Sequence, residues 1–154
     1  ALSTYESGAG RGAARQIAVP GGTALLIDES YNAAVPAMRA ALAALAARPA
    51  ARRVAVLGAM RELGAHSAAL HASLAPDAAA AADLVFCCGA EMAPLFEALP
   101  AACRGAFAAD STALAPIVQA ALRPGDLVLV KGALGSRMAV VVQALAAARP
   151  GRAA

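Results

Sequence analysis

Short apolar runs alternating with amphipathic, alanine-rich segments predict a three-layer α/β domain, a mostly parallel sheet of about five or six strands covered by helices. Two further observations support that class. Turn residues precede the first and last apolar runs, at Pro20-Gly21-Gly22 and Pro124-Gly125-Asp126. The length of 154 residues suits one ordinary domain and leaves no room for a second of similar size.

The expected strands are Thr23 to Ile27, Arg53 to Leu57, Leu84 to Cys87, a weak one at Ala106 to Ala108, and Leu127 to Val130. A helix should follow each, over Pro36 to Ala47, His66 to Leu74, Met92 to Leu99, Thr112 to Leu122 and Arg137 to Ala148. Alanine fills these helices, as suits segments lying closely on a sheet. Asp110 or Ser111 can cap the fourth, with Pro116 still near its start. Residues 1–22 are rich in Gly, Ser and Arg without a clear period, so they read as a linker or tail before a domain at 23–154. There is no internal repeat.

The formal charge is only +3, and the arginines are scattered without aromatic partners, so no nucleic-acid surface is indicated. Cys87, Cys88 and Cys103 are too few and wrongly spaced for a disulfide framework or a zinc site, and are expected to be small core residues in a reducing compartment. Neither a signal peptide nor an uninterrupted membrane span is legible. A soluble, cytoplasmic chain is the expectation.

Ligands of an open parallel sheet bind outside the carboxyl ends of its strands. The richest polar clusters after the strands are Asp28-Glu29-Ser30-Tyr31-Asn32 and Lys131-Gly132-Ala133-Leu134-Gly135-Ser136-Arg137. On an extended backbone Asp28 and Glu29 point to opposite sides, so they cannot act together as acid and base on one bond. Either one faces the crevice to hold a hydroxyl or an amine, or they serve a helix start. Asn32 divides in the same way between capping and offering its amide to a ligand. Every basic residue but one is Arg, and the exception, Lys131, stands at a strand end before a glycine. That placement suggests a compact ammonium facing an oxyanion, against the alternative of an exposed lysine left by chance. Arg137 could add a forked donor.

Other strings carry less. "GAGRGAA" at residues 8–14 imitates a dinucleotide-binding pattern, but no strand precedes it and no clear helix follows. The run "RPGDLVLVKGALGS" lacks the order of a phosphate loop. His66 and His71 are five apart on a helical pattern and share a face poorly, so no metal pair is expected and a surface or interface position is the default. No nucleophile–base set can be argued from spacing.

Taken together, "IDESYNA" followed by "MRAAL", then "VAVLGAMRELG" with a histidine seven residues later, then "VLVKGALGSRM", resemble the C-terminal domain of the Mur ligases. The likeness runs from about Gly10 to Leu145 and is nearest the type that joins D-alanyl-D-alanine to UDP-N-acetylmuramoyl-tripeptide. It implies a Rossmann-like domain of a three-domain, ATP- and Mg²⁺-dependent amide ligase, in which a central domain absent from this sequence holds most of the nucleotide and metal. The isolated chain would then be inactive, with no catalytic residue and no metal ligand of its own. By the same resemblance Asp28, Glu29, Tyr31 and Asn32 would face the nucleotide and closed site, and Lys131, with Arg137 near it, the substrate. Arg11, in "GAGRG", would lie near phosphates at the hinge from the central domain.

Three positions depart from the family pattern. Ala34 stands where "YNAN" has its second asparagine, Ala59 where "LGDM" has its aspartate, and Ala133 where "KGS" has its serine. A sister ligase of the Mur or folylpolyglutamate type and a stand-alone Rossmann-like binding module are the competing readings. The strand order is not legible, but if Asp28 and Lys131 share a site, the first and last expected strands must lie close together.

Overall fold

A computed structural model describes residues 13–31, 33–60 and 64–147. Six strands form one sheet: β1 (Ala13–Val19), β2 (Gly22–Glu29), β3 (Arg52–Leu57), β4 (Leu84–Cys88), β5 (Arg104–Ala108) and β6 (Asp126–Lys131). Their order is β1-β2-β6-β3-β4-β5, with β1 antiparallel to β2 and every other pairing parallel. The helices are α1 (Val35–Ala47), α2 (Ser67–Ala72), α3 (Ala75–Ala81), α4 (Ala93–Ala98), α5 (Ser111–Ala121) and α6 (Ala139–Ala146).

Alternation along the central strands divides the core in two. Leu127 and Leu129 of β6 join Ala55 and Leu57 of β3 beneath Met38, Leu42 and Leu45 of α1, Ala78 of α3 and Leu95 of α4. The intervening Val128 and Val130 join Val54 and Val56 against Leu114 and Val118 of α5 and Val141 and Leu145 of α6. Strands buried on both faces are apolar without a polar alternate, the mark of a parallel sheet between two helical layers. Each such leucine or valine contributes about 1.5–3 kcal/mol on leaving water.

Several elements differ from the sequence expectation. No strand was expected before Thr23, yet Ala13–Val19 forms β1 and pairs with β2 through a two-residue turn at Pro20-Gly21. Proline fixes the first turn position, and Gly21 supplies the positive φ of 87° needed at the second. The turn string read as a strand start is therefore a hairpin. Helix α3 was not expected at all: its sequence, APDAAAA, has no large apolar residue to mark a face, although Pro76 in its first turn is well suited to a start. The expected helix at His66 to Leu74 is a single 3-10 turn followed by the short α2, and that at Met92 to Leu99 likewise begins as a 3-10 turn. Arg137, expected to open the last helix, instead adopts a left-handed conformation (φ 57°) after a 3-10 turn, and α6 begins at Ala139. Asp110 is the cap of α5, its Oδ1 accepting from Ala113 N at 2.8 Å.

At the amino edge of the sheet, Asp126 opens β6 almost wholly buried. Arg52 donates to both of its carboxylate oxygens, at 2.9 and 2.7 Å, and to Ala121 O at 2.8 Å. Arg123 N adds 2.8 Å to Oδ2. The carboxylate holds the Arg52 guanidinium above its ordinary pKa through that hydrogen bond, against the opposing effect of burial. This fork closes the bottom of the central strands.

Candidate functional site

The parallel strands deliver their ends to one edge. In register, Glu29 of β2 lies beside Lys131 of β6, and Lys131 beside Leu57 of β3. The strand that comes last in sequence is therefore central, and it brings the two polar clusters, about a hundred residues apart, onto neighbouring strands. Lys131 Nζ donates to Glu29 Oε1 at 2.9 Å. The lysine is 4% exposed, whereas 28% of the Glu29 side chain is open to solvent. Taking an ammonium out of water costs several kcal/mol unless a countercharge accompanies it. A buried lysine at an open rim is thus no chance surface residue, and its partner retains access to whatever enters the crevice.

The two loops that leave β3 and β6 are zipped together. Gly58 N donates to Lys131 O at 2.8 Å, and Ala133 N donates to Ala59 O at 2.9 Å. The approach requires glycines: a Cβ on Gly58 would come within 2.7 Å of Met138 Sδ, and one on Gly132 within 2.7 Å of Met138 Cγ. Ser136 Oγ donates to Ala133 O at 2.6 Å and holds the second loop in its 3-10 turn.

Asp28 makes a local turn. Its Oδ1 accepts from Ser30 N at 3.0 Å and from Ser30 Oγ at 2.7 Å. Tyr31, Leu134 and Arg137 are exposed around the rim, Leu134 at 68%. Arg137 takes a left-handed conformation at this rim, at a cost on the order of 1 kcal/mol relative to glycine. Asn32 and Arg11, expected to face ligand and phosphates, lie outside the described residues, as do Arg61 to Leu63. Ala34, the first departure from the family pattern, is the N-cap position of α1, which has no side-chain cap. Ala59 and Ala133, the other two, are the pair joined across the zipped loops.

His71 is the residue that sequence reasoning misplaced. It is buried (1% exposed), not at a surface or interface, while His66 is exposed. Both ring nitrogens are used: Nε2 accepts from Met60 N at 3.0 Å, and Nδ1 stands 2.8 Å from Ser67 O. A buried acceptor leaves no periodicity to read, and the only signal was its place after the "RELG" string. The cysteines are buried thiols as expected. Burial pushes Cys88 up to about 11, helped by Asp110, and raises Cys87 still further. Among the described residues no group of three or more His, Cys, Asp or Glu could hold a metal ion, and no helix is long and apolar enough to cross a membrane. No residue is assigned to Mg²⁺.

The family model "Mur ligase, glutamate ligase domain" matches residues 15–134. The chain belongs to this family. Two curated relatives are named UDP-N-acetylmuramoyl-tripeptide–D-alanyl-D-alanine ligase. The Synechocystis sp. protein is 34% identical over 130 residues, 82% of this chain and 28% of that relative. The Escherichia coli protein is 39% identical over 124 residues, 79% of this chain and 26% of that relative. Among solved structures, MurF ligase from Thermotoga maritima in complex with ADP aligns with TM-score 0.76 and 25% identity over 94% of this chain and 32% of that one. MurF from Acinetobacter baumannii aligns with TM-score 0.77 and 27% identity, again over 94% and 32%. This Mur ligase domain therefore spans less than a third of each relative's length.

Proposed function

We propose that the chain is the C-terminal domain of an ATP-dependent ligase of peptidoglycan precursor synthesis, working in the cytoplasm. The full enzyme joins D-alanyl-D-alanine to UDP-N-acetylmuramoyl-tripeptide. The observation that carries this reading is the register-matched Glu29–Lys131 pair, buried on the lysine side and open on the glutamate side, at the carboxyl edge of a sheet in a Mur ligase domain.

ATP would supply the activation, passing its γ-phosphoryl group to the tripeptide carboxylate with release of ADP, and the dipeptide amine would attack the carbonyl of the resulting acyl phosphate with release of phosphate and a proton. The central domain that holds ATP and Mg²⁺ lies outside this sequence. On this reading the hinge to it lies ahead of β1, with Arg11 near the phosphates, and the domain takes in β1, which pairs with β2, rather than beginning at Thr23. The residues of this chain position and enclose rather than react. Lys131 presents a fixed cation near the rim, Glu29 holds it there and offers a solvent-open carboxylate to an ammonium, and Arg137 and Tyr31 border the crevice. Closing this rim over the activated carboxyl excludes the water that would hydrolyse it and orients the amine.

The test is ligation by the full-length enzyme carrying Lys131→Met, which keeps side-chain bulk and removes the charge. A fall of at least about tenfold, the equivalent of 1.4 kcal/mol, is expected with folding intact. Full activity would remove Lys131 from the site. Offering other amino acids and dipeptides as the amine tests the substrate assignment.

A further inference from the structure

We infer that His71 is the positioning residue of the crevice rim: in its neutral form it sets the height of the loop after β3 and, through that loop, of the loop that follows Lys131. The inference deepens the proposed function and rests on it for its enzymatic consequence, but the brace itself can be tested without ligation.

A backbone N–H can only donate, so the 3.0 Å contact from Met60 N makes Nε2 an unprotonated acceptor. The proton of the neutral ring is then on Nδ1, which donates to Ser67 O at 2.8 Å, with Ser67 Oγ at 3.2 Å. The ring thus connects α2 to the first residues beyond β3. Met60 is itself 5% exposed, so its N–H has no water to turn to. Losing this acceptor would leave a buried donor unpaired, which is costlier than the bond is favourable.

The effect propagates through backbone groups. Met60 follows Ala59, whose carbonyl accepts from Ala133 N, and Gly58 N reaches Lys131 O. Gly58 and Gly132 leave no slack, because Met138 and Ser136 fill the space a Cβ would need. A shift at Met60 is therefore passed to the loop carrying Gly132 and Ala133, directly after Lys131. His71 touches neither the Glu29–Lys131 pair nor the exposed rim residues in any of its hydrogen bonds; it acts through the loops.

Two variants separate the roles of the ring nitrogens. In His71→Asn the amide can still bond Ser67 O but is too short to reach Met60; in His71→Gln an acceptor can again reach Met60 N. Amide hydrogen exchange of the 154-residue chain should accelerate at Met60 and Ala133 in His71→Asn by about tenfold or more, the loss expected for one backbone bond. Amides inside β3 and β6 should hold, and His71→Gln should restore the two loops. In the full-length ligase the same Asn variant should raise KM for the amine substrate more than it lowers kcat, with recovery in Gln. Unchanged exchange at Met60 and Ala133, or a uniform rise across the sheet, overturns the brace. Local loosening with unchanged kinetics keeps the brace and refutes the assignment of this rim to the amine. If neither variant folds, the ring nitrogen spectrum of the unsubstituted chain decides: the proton belongs on Nδ1, and a proton on Nε2 overturns the inference.

Discussion

The two ends of β6 begin alike and finish differently. Asp126 and Lys131 are both nearly fully buried charges, each paired with a residue on a neighbouring strand. At Asp126 the partner is a rigid guanidinium fork reinforced by backbone groups from two directions, and 15% of the Arg52 side chain is exposed. At Lys131 the partner is a flexible carboxylate, 28% exposed, flanked by an exposed tyrosine, leucine and arginine. The first charge pair is shut and serves the fold; the second opens onto solvent.

If that contrast is right, the largest stability loss belongs to the amino edge. Asp126→Ala strands a largely buried guanidinium and the Arg123 amide, and should cost on the order of 3 kcal/mol in urea unfolding of the chain. A loss below about 1 kcal/mol would mean that the fork is no more than a surface pair. Next in size is an alkaline effect beneath the open edge, where Cys88 ends β4. Its thiol ionises near 9.0 when exposed and at about 11 in the fold, so folding favours the protonated form. The stabilisation is complete below pH 9 and is lost as pH rises toward 11, at up to about 1.4 kcal/mol per pH unit. Cys88→Ala should remove its share of that slope and leave the share of the more deeply buried Cys87; an unchanged slope would mean water already reaches the Cys88 thiol.

A smaller gain is expected at α1. Ala34 has the extended backbone of an N-cap (φ −132°, ψ 165°) but no side chain to accept from the first turn. Ala34→Asn should add about 1 kcal/mol to the unfolding free energy, and no gain would show that the helix start is already satisfied. The smallest stability change is expected for Lys131→Met, within about 1 kcal/mol of the parent, since the buried ammonium's desolvation cost disappears with it and the carboxylate left behind at Glu29 is open to water. A large loss there would make the two ends of β6 equivalent after all.

What was legible in the sequence follows the same division. Strands buried on both faces announce themselves as unbroken apolar runs, and Lys131 was conspicuous as a lone lysine among arginines. A site shared by Asp28 and Lys131 was readable only as a condition on strand order, which depends on crossovers that leave no local trace, and the carboxylate that meets the lysine is that of Glu29. The register of β2 and β6 meets that condition for the cluster. Helix α3 escaped notice because alanine both fills a helix and marks no face. β1 escaped because its run, AARQIAV, mixes polar and apolar residues and stands beyond a Pro-Gly turn. The burial of His71 left no signal beyond its place after the motif, since its partner is a backbone amide eleven residues away in the chain.

The central place of the last strand also governs how this chain can be made. During synthesis β2 and β3 emerge with a strand-wide gap between them, and the strand that fills it follows more than half the domain later. Contacts between such distant segments form slowly, because the closure entropy comes before the reward. The two half-sheets must wait with their inner edges bare until Asp126 to Lys131 arrives. Nascent chains halted before β6 should therefore bind holding chaperones and resist compaction, and release of a few residues more should let the whole sheet assemble at once.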